Sequence, residues 1–229
     1  MKCRRSQLAA TVWPCFNQKT PLRPGLATIV GWAMQLKIVQ AGEAVLREHA
    51  RQLTLDEIHS RETQDLIESM RQTMYQAPGV GLAAPQVGVG LQLAVIEDKK
   101  EYMKDAPADF LKERGRKPVP FHVIINPKIT LSDEAEVEFF EGCLSLTGLT
   151  AAVPRARAVK LECLDHRGEP KLIQASGWYA RILQHEIDHL HGTLYVDRMY
   201  PRSLMTVENF NRTWKALSIA EARNLLQWK

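Results

Sequence analysis

The feature that most constrains this chain is His185-Glu186-Ile187-Asp188-His189, near the end of SGWYARILQHEIDHLHG at 176–192. Ser176 is a candidate N-cap and Gly192 a candidate C-terminal stop, so the stretch predicts one helix. Trp178, Ile182, His185 and His189 recur at spacings of four, three and four and share one face of it. Residues four apart sit one turn above each other, so both imidazoles can reach one metal ion. Glu186 adjoins the first of them and can aim its carboxylate at a water on that metal. The bland alternative is a surface helix with two unrelated histidines. Against it stands the apolar face that runs into both of them.

Around this helix the chain predicts short strands. Residues 61–76 place Leu66, Ile67, Met70 and Met74 on one helical face, which Ala77-Pro78-Gly79 ends. GVGLAAPQVGVG at 79–90 is small-residue rich, and LQLAVIE at 91–97 is strand-like. Lys99 to Pro120, charged and with three prolines, reads as a long exposed loop. Phe121 to Ile125 reads as a buried strand ending at Asn126-Pro127, and Glu136 to Phe140 as another that leads into EGCLS at 141–145. Residues 157–174 predict a hairpin turning at Asp165-His166-Arg167-Gly168. LYVDRM at 194–199 follows the helix. The order predicts the α+β class, with antiparallel sheets and no linker dividing residues 43–200. The final WKALSIAEARNLLQWK, 214–229, reads either as an amphipathic helix or as a poorly ordered end.

Composition limits the function classes. With 229 residues, 45% of them hydrophobic, the chain can bury a core without disulfides, and no apolar run nears the roughly 20 residues of a membrane helix. The formal net charge of +4 is unevenly placed. Lys2, Arg4, Arg5, Lys19, Arg23 and Lys37 precede the first acid, Glu43. The remainder therefore carries 24 basic against 26 acidic side chains, and gives no electrostatic case for nucleic acid or an anionic membrane. A basic, acid-free leader with Ser, Thr and Pro reads as an organelle transit segment, a disordered tail being the alternative. Of four cysteines, two lie in the leader. Cys163 falls in an alternating strand and reads as core, while Cys143 is left accessible by its neighbours Gly142 and Leu144.

Two histidines do not make a catalytic centre, so the third ligand decides. In extended zincin motifs it would fall at Tyr195, which is not a histidine; peptidases with a downstream glutamate would use Glu208. Cys143 is the better candidate, because a thiolate is a strong ligand for zinc or ferrous iron.

Three separated motifs now coincide: GVGLAAPQ at 79–86, EGCLS at 141–145 and QHEIDHLHG at 184–192. In that order they resemble the peptide deformylases, and with flanking similarity the resemblance covers about residues 36–205. Residues 1–35 are then a transit-like segment and 206–229 an extension. The resemblance implies antiparallel sheets packed around the helix carrying HEIDH. It implies one divalent metal per chain on Cys143, His185 and His189, with water at the fourth position and Fe²⁺ favoured over Zn²⁺ or Co²⁺. It implies Glu186 as the proton carrier, and Gln86 with the Leu144 backbone N–H as an oxyanion hole. The substrate would be a nascent chain beginning with formyl-methionine, met near the ribosome in the mitochondrial matrix, with no direct nucleic acid or membrane partner. Gly79 and Gly81, lacking side chains, would let the substrate backbone approach, with Val80 and Gly142 beside it. Trp178 and Ile182 would wall an apolar pocket for methionine, although such a stripe equally packs a core.

One position departs from the family pattern: the Arg that many members carry seven residues after the metal cysteine is Thr150 here. Asp188 either pairs with Arg155 or is solvated. His191 points about 200° away from His189 and is left outside the site. Two other accounts stay open: an HExxH peptidase using Glu208 or Tyr195, and a structural metal module closed by Cys163.

Overall fold

The computed structural model describes residues 35–77, 79–132 and 136–228. The transit-like leader lies outside the described residues, apart from Gln35.

Thr54 opens α1 (Leu55–His59) with a capping box closed by Glu57, and Ser60 then caps α2 (Arg61–Gln76) through the Thr63 N–H. The apolar face of α2 buries Ile67, Met70 and Met74 against Leu82, Leu93 and Val95. β1 (Gly81–Ala83) pairs with β2 (Leu93–Asp98), and β2 pairs in turn with β3 (Val119–Leu131). β4 (Val137–Gly142) pairs with β5 (Leu149–Arg155). β6 (Ala158–Leu164) and β7 (Pro170–Ser176) form the expected hairpin. Among the described residues the strands make two antiparallel sheets, β1-β2-β3-β6-β7 and β4-β5-β8, where β8 is Met205–Thr206. The α+β expectation is met.

Two local expectations are corrected. β3 does not end at Asn126-Pro127 but runs on to Leu131, through a register shift between Ile125 and Lys128. Asn126 takes φ 50° there, a conformation its short amide side chain tolerates. That amide replaces lost ladder bonds, accepting from Leu53 N–H at 2.9 Å and donating to Leu53 C=O at 2.8 Å. The 99–120 stretch is not a plain exposed loop. It holds a 3₁₀ turn at Lys100–Met103 and the helix α3 (Ala108–Glu113), and Met103 is buried. Its charge is partly structural: Arg116 grips the fully buried Asp98 through two 2.8 Å bonds.

The expected central helix is α4 (Gly177–Leu190). Ala180, Leu183, Ile187 and Leu190 pack it onto the five-stranded sheet. Ser176 holds the N-cap position but makes no side-chain cap bond. Gly192 does stop the helix, at φ 70°, where a Cβ would lie 2.6 Å from the Arg47 carbonyl oxygen. The chain's end contains a capped helix, Ile219–Leu226, and packs Ala222 and Trp228 against Phe140 and Ala152. No described helix is long and apolar enough to cross a membrane.

Candidate metal centre

β4 and α4 build the site between them. β4 ends at Gly142, so Cys143 stands in the turn just beyond it, while α4 stacks His185 and His189 with ring centroids 5.0 Å apart. One ligand atom from each of Cys143, His185 and His189 lies within 4.8 Å of the others. His189 Nε2 is 3.2 Å from Cys143 Sγ. His185 directs its Nδ1 to Glu141 Oε2 at 3.0 Å, which leaves its Nε2 for a metal. One thiolate and two imidazoles make a donor set that suits Fe²⁺, Zn²⁺ or Co²⁺, so the residues fit the metal that the motif implies. Neither alternative third ligand joins them. Tyr195 is buried with its ring stacked on that of His185 at 6.3 Å, and Glu208 is exposed. Cys163 is buried in the core with Leu161 and Ile182, as expected, and stands outside the group.

Glu186 is 4% exposed, and its Oε2 has no hydrogen-bond partner. Burial pushes its pKa up to about 7. The structure revises the reason for a glycine at 81: a Cβ there would fall 2.2 Å from Glu186 Oε1. The space over Gly81 houses the carboxylate. A Cβ at Gly79 would likewise come within 2.9 Å of the Leu144 side chain. Gln86 is buried with its Oε1 held by the Ala83 N–H at 2.9 Å. Its Nε2 therefore faces Cys143 Sγ at 3.5 Å and Ser145 Oγ at 3.4 Å. Ser145 N–H also points at the sulfur, at 3.4 Å.

A cavity of about 380 Å³ opens beside these groups, lined by Val80, Trp178 and Ile182 as expected, and by Gly79, Gly81 and Gly142. Phe140, Leu149 and Val207 join the lining, although none was singled out in the sequence.

The larger omission is Glu141. This 5% exposed carboxylate accepts from His185, from Arg155 through two 3.0 Å bonds, and from Arg181 at 2.6 Å. Burial works against its ionised form, but the His185 bond and the Arg155 charge outweigh that and hold its pKa well below the usual range. Arg155 continues to Asp188 at 2.5 Å, the pairing that the sequence left open, and Arg198 closes Asp188 with two further bonds. Thr150 lies opposite Gly142 on β5 and donates to the Glu141 carbonyl at 2.7 Å, so it serves the sheet at the position of the common Arg. The one sequence signal for this network was an acid, Glu141, between Phe139-Phe140 and the Gly142-Cys143 turn, where the strand enters the motif. His191 stacks on His49, with centroids 4.9 Å apart, and stays out of the group.

A family model described as polypeptide deformylase matches residues 35–204. The chain belongs to the polypeptide deformylase family. It is 50% identical over 174 residues to peptide deformylase 1A, chloroplastic, of Solanum lycopersicum; the match covers 76% of this chain and 63% of that relative. It is 42% identical over 206 residues to the chloroplastic/mitochondrial peptide deformylase 1A of Arabidopsis thaliana, covering 86% of this chain and 77% of the relative. Among solved structures, the Met-Ala-Ser-bound class I type b peptide deformylase of Acinetobacter baumannii matches with a TM-score of 0.65 and 32% identity. That match covers 73% of this chain and 100% of the other. Deformylases are metal-dependent hydrolases that take the formyl group from new polypeptides, and this chain's chemistry is of that kind.

Proposed function

We propose that this chain hydrolyses the N-formyl group of formyl-methionyl nascent chains with Fe²⁺ held by Cys143, His185 and His189. The observation that carries the reading is the convergence of those three ligand atoms beside Glu186, a buried carboxylate with an unpartnered oxygen. The bound metal supplies a Lewis acid for the formyl oxygen and acidifies the attacking water.

The chain's own residues do the rest. Glu186 Oε2 takes the water proton and returns it to the departing amine, so water and the formyl amide become formate and a free amino terminus. The burial of Glu186 beside the three ligand atoms, with Oε2 unpartnered among the described residues, places the carboxylate for both transfers. Gln86 Nε2 and the Leu144 backbone N–H donate to the formyl oxygen as charge grows on it, each contributing about 3 kcal/mol. Glu141 keeps His185 Nδ1 occupied, which fixes the tautomer and the ring plane. Val80, Trp178 and Ile182 take the methionine side chain out of water, while the backbone at Gly79, Gly81 and Gly142 lies alongside the substrate chain.

We place this activity in a catalytic domain at 36–205, which the family match supports, with 206–229 as an extension packed on it. Residues 1–35 direct it to the mitochondrial matrix, where nascent chains are met near the ribosome. The basic, acid-free segment and the chloroplastic and chloroplastic/mitochondrial relatives support an organelle. The test is formate release from formyl-Met-Ala by the purified chain loaded with Fe²⁺, Zn²⁺ or Co²⁺. Release fastest with Fe²⁺ is expected; metal binding with no formate would overturn the reading. A reporter carrying residues 1–35 is expected in mitochondria, and its retention in the cytosol would overturn the address.

A further inference from the structure

The stretch between β2 and β3, which reads in the sequence as a charged loop, is built against the wall of the cavity. Near its C-terminal end Arg116 is fixed to the buried Asp98, the last residue of β2, so the two ends of the stretch are tied together. Just before Arg116, the backbone of Arg114 and Gly115 lies on the first residue of α4: a Cβ on Gly177 would meet the Arg114 carbonyl oxygen at 2.7 Å. At this attachment the Arg114 guanidinium is enclosed by rings. Its Cζ is 3.8 Å from the Phe110 ring centroid, 4.7 Å from that of Phe139 and 5.2 Å from that of Trp178. Among the described residues no carboxylate pairs with it, and its Nε is buried without a partner. Burial lowers its pKa to about 10, which leaves it charged at neutral pH.

Trp178 joins this stack to the site. It lines the cavity, whereas Arg114 does not, and its indole nitrogen is buried with no hydrogen-bond partner among the described residues. No polar bond therefore fixes the ring. Phe139 meets it edge-on at 6.4 Å, and the Arg114 and Arg116 guanidiniums, at 5.2 and 5.6 Å, supply its other oriented contacts. A half-buried cation over an indole face is partly desolvated, which strengthens the contact, and the contact is directional. A wall held by such a contact presents a fixed shape to the substrate side chain.

We propose that Arg114 is a positioning residue for substrate selection, holding Trp178 in place through the Phe110–Arg114–Trp178 stack, so that the 99–118 segment sets which first side chain is accepted. The proposal rests on the reading of Trp178 as a wall of the methionine pocket. Arg114 touches neither substrate nor metal ligand and acts through the indole.

The experiment compares kcat and KM of the metal-loaded full chain for formyl-Met-Ala, formyl-Leu-Ala and formyl-Phe-Ala, with metal content measured on each preparation. Arg114→Met keeps the stem and removes the cation. It is expected to raise KM for formyl-Met-Ala about tenfold, leave kcat within about twofold, and reduce the preference for Met over Leu. Arg114→Lys, which retains charge without the planar face, should recover part of that preference. Phe110→Leu, which removes the ring nearest the guanidinium at 3.8 Å, should shift it in the same direction by less, and it carries the test if Arg114→Met does not fold. An equal fall in kcat for all three peptides, with the Met-to-Leu ratio unchanged, would overturn the proposal. Trp178→Ala separates the two levels. If it leaves the ratio unchanged, the pocket reading itself is wrong. If it alters the ratio while Arg114→Met and Phe110→Leu do not, the pocket stands and the role of Arg114 falls.

Discussion

The two sheets bury different chemistry. β2, β3 and β6 of the five-stranded sheet bury Leu93, Val95, Ile96, Ile124, Ile125 and Leu161, an interior that α4 completes with Leu183 and Ile187. Among the described residues the five-stranded sheet buries one charge, Asp98 at the end of β2, paired with Arg116. β4 and β5 bury Phe139, Phe140, Ala151, Ala152 and Val153 but add a linked cluster of Glu141, Thr150 and Arg155, and α4 turns Arg181 and Asp188 to meet it. Taking charges out of water is unfavourable, and a well-packed apolar cluster would often be at least as stable. The charged interior therefore needs a reason other than stability, and its position supplies one. Glu141 ends its hydrogen-bond chain on His185, two residues before Cys143 in sequence. One sheet holds the helix, and the other aims it.

The sharpest break between the two regions is chemical. Cys143→Ala should abolish activity and lose the metal together, because two imidazoles alone form a weak site. Glu186→Gln preserves shape but cannot take the water proton, so activity should fall by roughly two to four orders of magnitude. Metal should remain near one per chain, measured by elemental analysis of the purified protein. Retention of metal by Cys143→Ala and its loss from Glu186→Gln would reverse the two assignments.

Glu141→Gln tests the charged sheet itself. It leaves Arg155 and Arg181 buried beside a neutral amide, which should destabilise the fold by about 3–5 kcal/mol in denaturant titration. It should also weaken metal binding by roughly ten- to a hundredfold, since His185 loses its orienting carboxylate. An unchanged metal affinity would make the network purely structural. Leu161→Ala is the matching change in the apolar sheet. It should remove about 3 kcal/mol of stability while kcat per folded, metal-loaded molecule stays the same. A fall in kcat there would erase the division of labour.

The same division governs what could be read from the chain. Apolar periodicity is local, so Leu66, Ile67, Met70 and Met74 gave α2 its observed limits, and alternation gave the β6–β7 hairpin. β3 was cut short because Asn126-Pro127 normally ends a strand, and the Leu53 backbone that rescues it lies 73 residues away. The 99–120 stretch misled for a similar reason, since the buried partner of Arg116 is an acid on β2. In the site, helical spacing alone brought the two histidines of HEIDH to one point, and the ordered motifs were needed to bring Cys143 to them. Glu141 stayed hidden because its partners Arg155, Arg181 and His185 stand 14, 40 and 44 residues from it. Ion pairs of that span leave no period in a sequence.

The smallest expected effect belongs to the second described cysteine. Cys163 lies on β6 at 7% exposure, and burial pushes its thiol pKa up to about 11. At neutral pH it is therefore almost wholly protonated, and a thiol attacks alkylating reagents only as the thiolate. Peptide mapping after brief iodoacetamide treatment of the folded protein should find Cys163 unmodified, and unfolding should expose it. Cys163→Ala removes one sulfur from a packed interior, so stability should drop by about 1 kcal/mol. Metal content, kcat and KM should not move, because Cys143, His185 and His189 complete their group without it. The measurement is useful for being small. If Cys163→Ala released the metal, the closed four-ligand structural module would become the better account, and the apolar sheet would share in the chemistry that the charged sheet is argued to direct alone.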